Sequence, residues 1–416
     1  MTQREFAIEV LTQLRAAGHE ALLAGGCVRD QLLGREPKDY DVATSARPDA
    51  VRELFGQRRT LAIGAAFGVI AVLGRRPLTP IDVATFRTDG MYRDGRRPET
   101  VEFADAEHDA QRRDFTINGL FYDPVADEVV DYVGGQQDLA AGLIRAIGDP
   151  LKRFADDKLR MLRAVRFATT LDFAIDPATL AAMRQMAPEA AAVSGERNGA
   201  ELRRVLTHDN CRRGVKLLSE TELLQPLLPE IAAAREADPA WWAAALARLD
   251  RLRAPTLATA LAALAIEGVS TPDLRALARR LRLPNKDTDR AAWLHTHLPI
   301  VADAATIPWP RLQRVLIHAG AEELIALAAA ALGADDPGLA RCREQLKLPI
   351  ERWNPPPLVT GDDLKAHRLK PGPQFAALLE YVRDEQLEGR LASRAEALAA
   401  AQRWIAANRP GAPPQR

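Results

Sequence analysis

The sequence predicts an α+β chain: a mixed sheet with helices over about the first 138 residues, then helices alone to the end. Three observations carry this. Short β-prone runs bounded by Gly, Pro or Asp are confined to the first 135 or so residues. Beyond Ile147 apolar residues recur at helical spacing in a background of Ala, Leu and Arg, and aromatics are only 5% of the chain. The length, 416 residues, is enough for two to four domains at roughly 100–200 residues each.

Phe6, Val10, Leu11 and Leu14 mark one face of a first helix, and Gly18 then turns the chain into a short apolar strand, Ala21–Ala24. Segments 39–43, 68–73, 81–86 and 100–103 read as strands, with 128–132 as another short one. Residues 86–98, rich in Gly, Asp and Arg between two strands, read as a mobile loop. Gly148-Asp149-Pro150 opens a helical stretch with an apolar stripe (Leu159, Leu162, Val165, Phe167) beside a basic one. Prolines near 226–239 and between 308 and 357 interrupt the later helices and mark candidate boundaries.

Composition excludes several classes. Lys plus Arg (56) balance Asp plus Glu (56), so any polyanion site must rest on local clustering. Three separated cysteines, Cys27, Cys211 and Cys342, make neither a disulfide framework nor a CxxC zinc site, and imply a reducing, cytoplasmic compartment. No apolar run reaches about 18 residues and the N-terminus lacks a signal-peptide core, so neither export nor membrane spanning is expected.

The chemistry-bearing residues begin at Gly25-Gly26. A Gly-Gly turn lets the backbone approach a ligand, and the helix start that follows offers free N–H groups to a phosphate. In Lys38-Asp39-Tyr40-Asp41 a strand period of two puts Asp39 and Asp41 on one face. Two such oxygen ligands suit Mg²⁺ shared with substrate phosphates, although two solvated aspartates on a strand edge give the same pattern. By strand alternation Asp82 is the best-placed third carboxylate. Arg112-Arg113-Asp114 sets two guanidiniums beside a carboxylate, which suits triphosphate oxygens and a ribose hydroxyl; a surface ion pair is the alternative. Asp157 and Arg160, three apart on a predicted helix, face one way. Their acceptor and donor match cytosine N4–H and N3, or adenine N6–H and N1, and mismatch G and U. The same spacing also serves a helix-surface salt bridge. Arg163 and Arg166 continue that face toward phosphate or base. His208-Asp209 and His295/His297 lack the partners and spacing of a hydrolase or metal site, and the tryptophans read as packing residues.

The string GGCVRDQLLGREPKDYDVAT (25–44), RRDFTIN (112–118), DDKLRMLRAVRF (156–167) and Glu196-Arg197 with Glu201-Leu202 occur in a fixed order. In this the chain resembles the polymerase-beta-like nucleotidyltransferases, specifically the bacterial-type tRNA nucleotidyltransferases and their relatives, the bacterial poly(A) polymerases. The resemblance implies a nucleotidyltransferase head (1–138), a helical neck for base recognition (139–215), a helical body (216–345) and a helical tail (346–416). It implies that Asp39 and Asp41 hold two Mg²⁺ ions with Asp82 as a third ligand. It implies a nucleotide held by Gly25, Gly26, Arg29, Arg112, Arg113, Asp114 and Asn118, and by Asp157, Arg160, Arg163 and Arg166, with Glu196 and Arg197 bracing the neck. Asp156 stands where the family usually has Glu, and Gly119 where it has Ala. The loop 86–98 resembles the family's full-length flexible loop, which speaks against a CC-only enzyme, and 63–69 looks like the tRNA branch. The implied activity is template-independent addition or repair of the 3′-terminal CCA of tRNA from CTP and ATP, releasing pyrophosphate. The tRNA 3′ end is the partner, with neither DNA nor membrane. An A-adding enzyme with a separate CC-adding partner shares every motif quoted, and a poly(A) polymerase shares the fold and chemistry.

Overall fold

Helix α1 (Gln3–Ala16) starts where Thr2 accepts the Glu5 N–H and Glu5 accepts the Thr2 N–H in return. It buries Phe6, Val10, Leu11 and Leu14. The chain continues through β1 (Ala21–Ala24), α2 (Gly26–Leu32), β2 (Asp41–Thr44), α3 (Pro48–Phe55), β3 (Thr60–Gly64), β4 (Val69–Val72) and β5 (Ile81–Thr85). Then come β6 (Arg87–Asp89), β7 (Val101–Phe103), α4 (Ala106–Gln111), β8 (Phe121–Asp123), β9 (Glu128–Val130) and α5 (Gly135–Ala140). The computed structural model describes residues 1–64, 67–89, 101–366 and 373–408.

Seven strands form one sheet in the order β3-β4-β5-β2-β1-β8-β9. It is mixed: β2 and β5 run parallel with Asp41 opposite Asp82, while β1 lies antiparallel to β2 and β8. Central strand β1 is buried along its whole length, and Leu22, Ala24, Ala43, Phe86, Ala110 and Phe121 pack into one core. The strand expected over 39–43 begins only at Asp41. Its last rung joins Ala24 to Asp41, and Gly25, at φ +73°, then swings β1 into α2, leaving Asp39 no strand to pair with. β3, β6 and β8 were not anticipated, since each is short and made by pairing with a neighbour. β6 and β7 pair as the base of the expected 86–98 loop, whose residues 90–98 lie outside the described residues, as do 65–66 of the 63–69 segment.

Beyond the head, β10 (Leu143–Ile144) pairs in parallel with β11 (Ala174–Ile175), so the expectation of helices alone after Ile147 fails at 174–175. Asp172 ends the preceding helix in a left-handed conformation, and the Ala174 N–H then reaches the Gly142 carbonyl at 2.8 Å. Around this pair lie α6 (Pro150–Asp156), α7 (Leu159–Leu171), α8 (Pro177–Met186) and α9 (Gly195–Leu206).

The chain divides into two units, Met1–Pro239 with Ala276–Leu283, and Ala240–Arg275 with Pro284–Arg416. Within the first, a Cβ at Gly195 or Gly199 would stand 2.1 Å from the carbonyl oxygens of Arg280 and Leu281, so α9 packs against that returning segment through glycine. The described part of the second unit is helical. There the buried Arg248 donates to the carbonyls of Ala263 and Ile266, and the buried Trp241 N–H also reaches Ile266. Val359, Leu364, Leu378, Val382 and Ala397 form a separate core among the last helices. His295 and His297 lie on the helix Asn285–Ala302, bonded to the Thr271 hydroxyl and the Trp293 carbonyl, and Trp293 stacks on His297 and His318. No single helix among the described residues is long and apolar enough to cross a membrane.

Candidate active site

Three consecutive local features open the site. Gly25 adopts a positive φ that a side chain would strain, and a Cβ there would come within 2.9 Å of Arg113 Nη1. We expect Gly25→Ala to cost about 1–3 kcal/mol of backbone strain and to raise the KM for nucleotide by displacing Arg113. Thermal unfolding and steady-state kinetics check the two effects separately. After Gly26, α2 carries Arg29. Next, Tyr40 is buried while Asp39 and Asp41 on either side of it are exposed, so the alternation read from sequence holds although only Asp41 is in the strand.

These residues open onto a cavity of about 720 Å³ within the first unit. It collects every residue that the sequence singled out for metal or nucleotide: Gly25, Gly26, Arg29, Asp39, Asp41 and Asp82 from the first half of the head. Arg112, Arg113, Asp114 and Asn118 line it from the second half, and Asp157, Arg160, Arg163 and Arg166 from the helices beyond. Phe167, Arg197 and Arg204 also line it and were not assigned to it from sequence.

Asp41 and Asp82 face each other across the β2–β5 pairing with Asp39 nearby, and among the described residues none of the three is in an ion pair. Desolvation first, then the charge of Asp82, pushes the Asp41 carboxyl up to about 6; Arg113 opposes this and Asp39 adds to it. A cation shared among these oxygens would relieve that repulsion, so the donor set fits a hard divalent ion. Among the described residues no three acidic, His or Cys side chains are placed to hold a metal ion together, so Asp39, Asp41 and Asp82 do not form a three-carboxylate site as they stand.

Among the described residues eight arginines also line the cavity: Arg29, Arg112, Arg113, Arg160, Arg163, Arg166, Arg197 and Arg204. Their carboxylate partners differ from those the sequence suggested. Arg112 and Arg113 share Asp109, three and four residues earlier on α4, at 2.7 and 2.9 Å, rather than the adjacent Asp114. Burial pushes the Asp109 carboxyl up, but the two guanidiniums outweigh it and hold it below the ordinary range. Helical i,i+3 and i,i+4 spacing was the signal for Asp109.

Asp114 is buried and fully used. Its Oδ1 accepts the Phe115 N–H (2.8 Å) and the Asn118 amide (3.0 Å), and its Oδ2 accepts Arg163 Nε and Nη2 (2.8 and 2.6 Å). A carboxylate has about four lone-pair sites, so a ribose hydroxyl would have to displace a partner. Burial pushes this carboxyl up, but Arg163, the Asn118 amide and Arg160 hold it far below the ordinary carboxylate range. Asn118 in turn accepts Arg29 Nη1 at 2.7 Å, and Arg29 is also held by Asp30.

Asp157 is not on a helix with Arg160. It sits extended in the break between α6 and α7 (φ −147°, ψ 106°), where its Oδ1 accepts the Leu159 N–H at 3.0 Å. Competition of a short acidic side chain for backbone N–H groups is what makes aspartate end one helix and begin the next. Its other oxygen accepts Arg197 Nη2 from α9 at 2.7 Å, which brings the expected neck brace into the cavity wall. Arg160, itself buried, donates to the carbonyls of Arg153 and Arg112 at 3.2 and 3.1 Å, with Asp156 3.8 Å away. Each group keeps hydrogen-bonding capacity: a second lone pair per oxygen on Asp157, and further N–H donors on Arg160. Arg166 is paired with the buried Glu201 on α9, to which Arg204 also donates.

Comparison with known proteins finds two family matches, both within the first unit. Residues 21–145 match the family described as Poly A polymerase head domain, and 172–235 match Probable RNA and SrmB-binding site of polymerase A. A CCA-adding enzyme of Levilactobacillus brevis is 34% identical over 407 residues, covering 95% of this chain and 97% of its own. A CCA-adding enzyme of Geobacillus stearothermophilus is 36% identical over 328 residues, covering 77% of this chain and 76% of its own. The crystal structure of the Bacillus stearothermophilus CCA-adding enzyme in complex with CTP superposes with a TM-score of 0.77 at 30% identity, over 98% of both chains. The Thermotoga maritima CCA-adding enzyme complexed with tRNA, at 19% identity and a TM-score of 0.65, shares the fold. With motifs, fold and near full-length similarity in agreement, this chain belongs to the CCA-adding enzyme family of nucleotidyltransferases.

Proposed function

We propose that this chain adds and repairs the 3′-terminal CCA of tRNA, using CTP and ATP. The observation that carries the reading is a single cavity lined by Asp39, Asp41 and Asp82, by eight arginines among the described residues, and by Asp157 and Arg160 where α6 gives way to α7. Its volume suits one nucleotide, so C and A are read in turn by the same groups.

In the reaction the RNA 3′ oxygen bonds to the α-phosphorus of the nucleotide while the bond to pyrophosphate breaks. Asp39 and Asp41, with Asp82 beside them, are the groups that would hold Mg²⁺. When bound, Mg²⁺ supplies charge stabilisation to the phosphoryl oxygens and acidifies the 3′ hydroxyl. The Gly25-Gly26 turn permits close approach of the phosphates. Arg112 and Arg113, fixed by Asp109, present charge to them at low reorganisation cost. Asp114 acts mainly by fixing Arg163 and Asn118. Asp157 accepts the exocyclic amine of cytosine or adenine, and Arg160 donates to the adjacent ring nitrogen. G and U would bring donor against donor and acceptor against acceptor. Three buried free thiols, Cys27, Cys211 and Cys342, accord with a cytoplasmic setting.

The test uses tRNA transcripts ending in the discriminator base, in C and in CC, incubated with Mg²⁺ and CTP, ATP or both. Growth by three nucleotides that stops there, and that requires CTP first, is expected. A single A added only to the CC-ended transcript would instead mean an A-adding enzyme, and long A tails on any RNA a poly(A) polymerase.

A further inference from the structure

Phe167 is 5% exposed, yet it lines the cavity, and three guanidiniums lie near its ring. The guanidinium carbons of Arg166, Arg29 and Arg163 stand 3.8, 5.2 and 5.5 Å from its centroid, and Phe115 meets it edge-on. Each of these arginines has its own polar partner: Asp30 and Asn118 for Arg29, Asp114 for Arg163, and Glu201 for Arg166.

A carboxylate fixes one edge of a guanidinium and leaves its plane free to tilt. A ring face fixes the plane as well, because the planar cation is attracted to the π-system. Gathering three like charges around one apolar side chain is electrostatically unfavourable, and an aliphatic residue would fill the space without holding any of them. The three arginines also come from two different places. Arg29 follows the Gly-Gly phosphate turn, and Arg163 and Arg166 lie one and two turns beyond Arg160 on α7. The ring therefore joins the phosphate end of the site to the base-reading helix.

We propose that Phe167 is a positioning residue for nucleotide selection, its ring holding the guanidinium planes of Arg29, Arg163 and Arg166 so that base and phosphates are registered together. This rests on the nucleotidyl-transfer reading above. Phe167→Leu and Phe167→Tyr are compared with the wild type in single-nucleotide addition of CTP, ATP and UTP, together with thermal unfolding. Because Phe167→Leu also alters a buried residue, 3,4,5-trifluorophenylalanine is placed at 167 as well, keeping the ring's shape while weakening its π-face. We expect Phe167→Leu and the trifluoro ring each to lower discrimination of CTP over UTP by about tenfold. KM for CTP and ATP should rise more than kcat falls, Phe167→Tyr should restore both, and the trifluoro protein should melt as the wild type does. Wild-type discrimination and KM in the trifluoro protein, whatever Phe167→Leu does, would overturn the inference while leaving the function standing. A wild-type protein that adds neither C nor A would overturn the function itself.

Discussion

Asp39→Ala and Asp41→Asn are each expected to abolish nucleotide incorporation to within about 0.1% of wild type, without unfolding the protein. The charge stabilisation lost with the bound ion amounts to several kcal/mol, and each 1.36 kcal/mol is a factor of ten in rate. Stability should move the other way for Asp41. Its carboxyl is raised by desolvation and by Asp82, and among the described residues it has no ion pair, so neutralising it removes repulsion rather than a bond. The melting temperature of Asp41→Asn, measured without Mg²⁺, should equal or exceed that of the wild type, and tRNA binding by gel shift should persist. Wild-type turnover in either variant would rule out these carboxylates as the metal site.

The second large effect is structural. Asp114→Ala leaves Arg163 and the Asn118 amide without their shared acceptor in a buried wall. Asp114 is buried but the Arg163 side chain is 32% exposed, so the loss is about 1–3 kcal/mol, the cost of leaving hydrogen-bonding groups unmet, still a sizeable share of a typical stability of about 5–15 kcal/mol. Denaturant unfolding should show that loss, and a change below about 1 kcal/mol would mean the pair is not carrying charge in the folded protein. The pH dependence gives an independent check. The folded carboxyl titrates far below its ordinary value, so in acid the unfolded chain binds the proton first. The stabilisation is present above about pH 4, the unfolded value, and is lost as pH falls below it. Asp114→Ala should therefore lose less stability than the wild type between about pH 4 and pH 2.

Residues whose role depends on local spacing were legible in the sequence. The Gly25-Gly26 turn, the alternation around Tyr40 and the basic stripe of α7 each follow from a period of two or of about 3.6, and all open onto the same cavity. What was not legible is who holds whom. Arg163 is fixed by a carboxylate 49 residues earlier, Asp157 by an arginine 40 residues later, and Arg166 by Glu201, 35 residues away. Local periodicity carries no signal for such pairs. The reading of Asp157 as helical failed for a related reason: its carboxylate captures the Leu159 N–H locally and is held by Arg197, 40 residues later. Asp39 fell outside its strand because a ladder extends only as far as its partner, and β1 stops at Ala24.

The returning segment Ala276–Leu283 bears on how this protein could be taken apart. The chain leaves the first unit at Pro239 and comes back for eight residues, and those residues supply the backbone on which Gly195 and Gly199 rest. α9 begins there, and it carries Arg197 and Arg204 into the cavity wall and Glu201 to the lining residue Arg166. A fragment cut at residue 239 would thus keep every residue that lines the cavity yet lose the floor beneath one of its walls. A single cut keeps the first unit whole only beyond Leu283, and the fragment then carries Ala240–Arg275 of the second unit with it. Transplanting the first unit alone onto a relative requires more than one junction, and the module boundary in space is not a boundary in the gene.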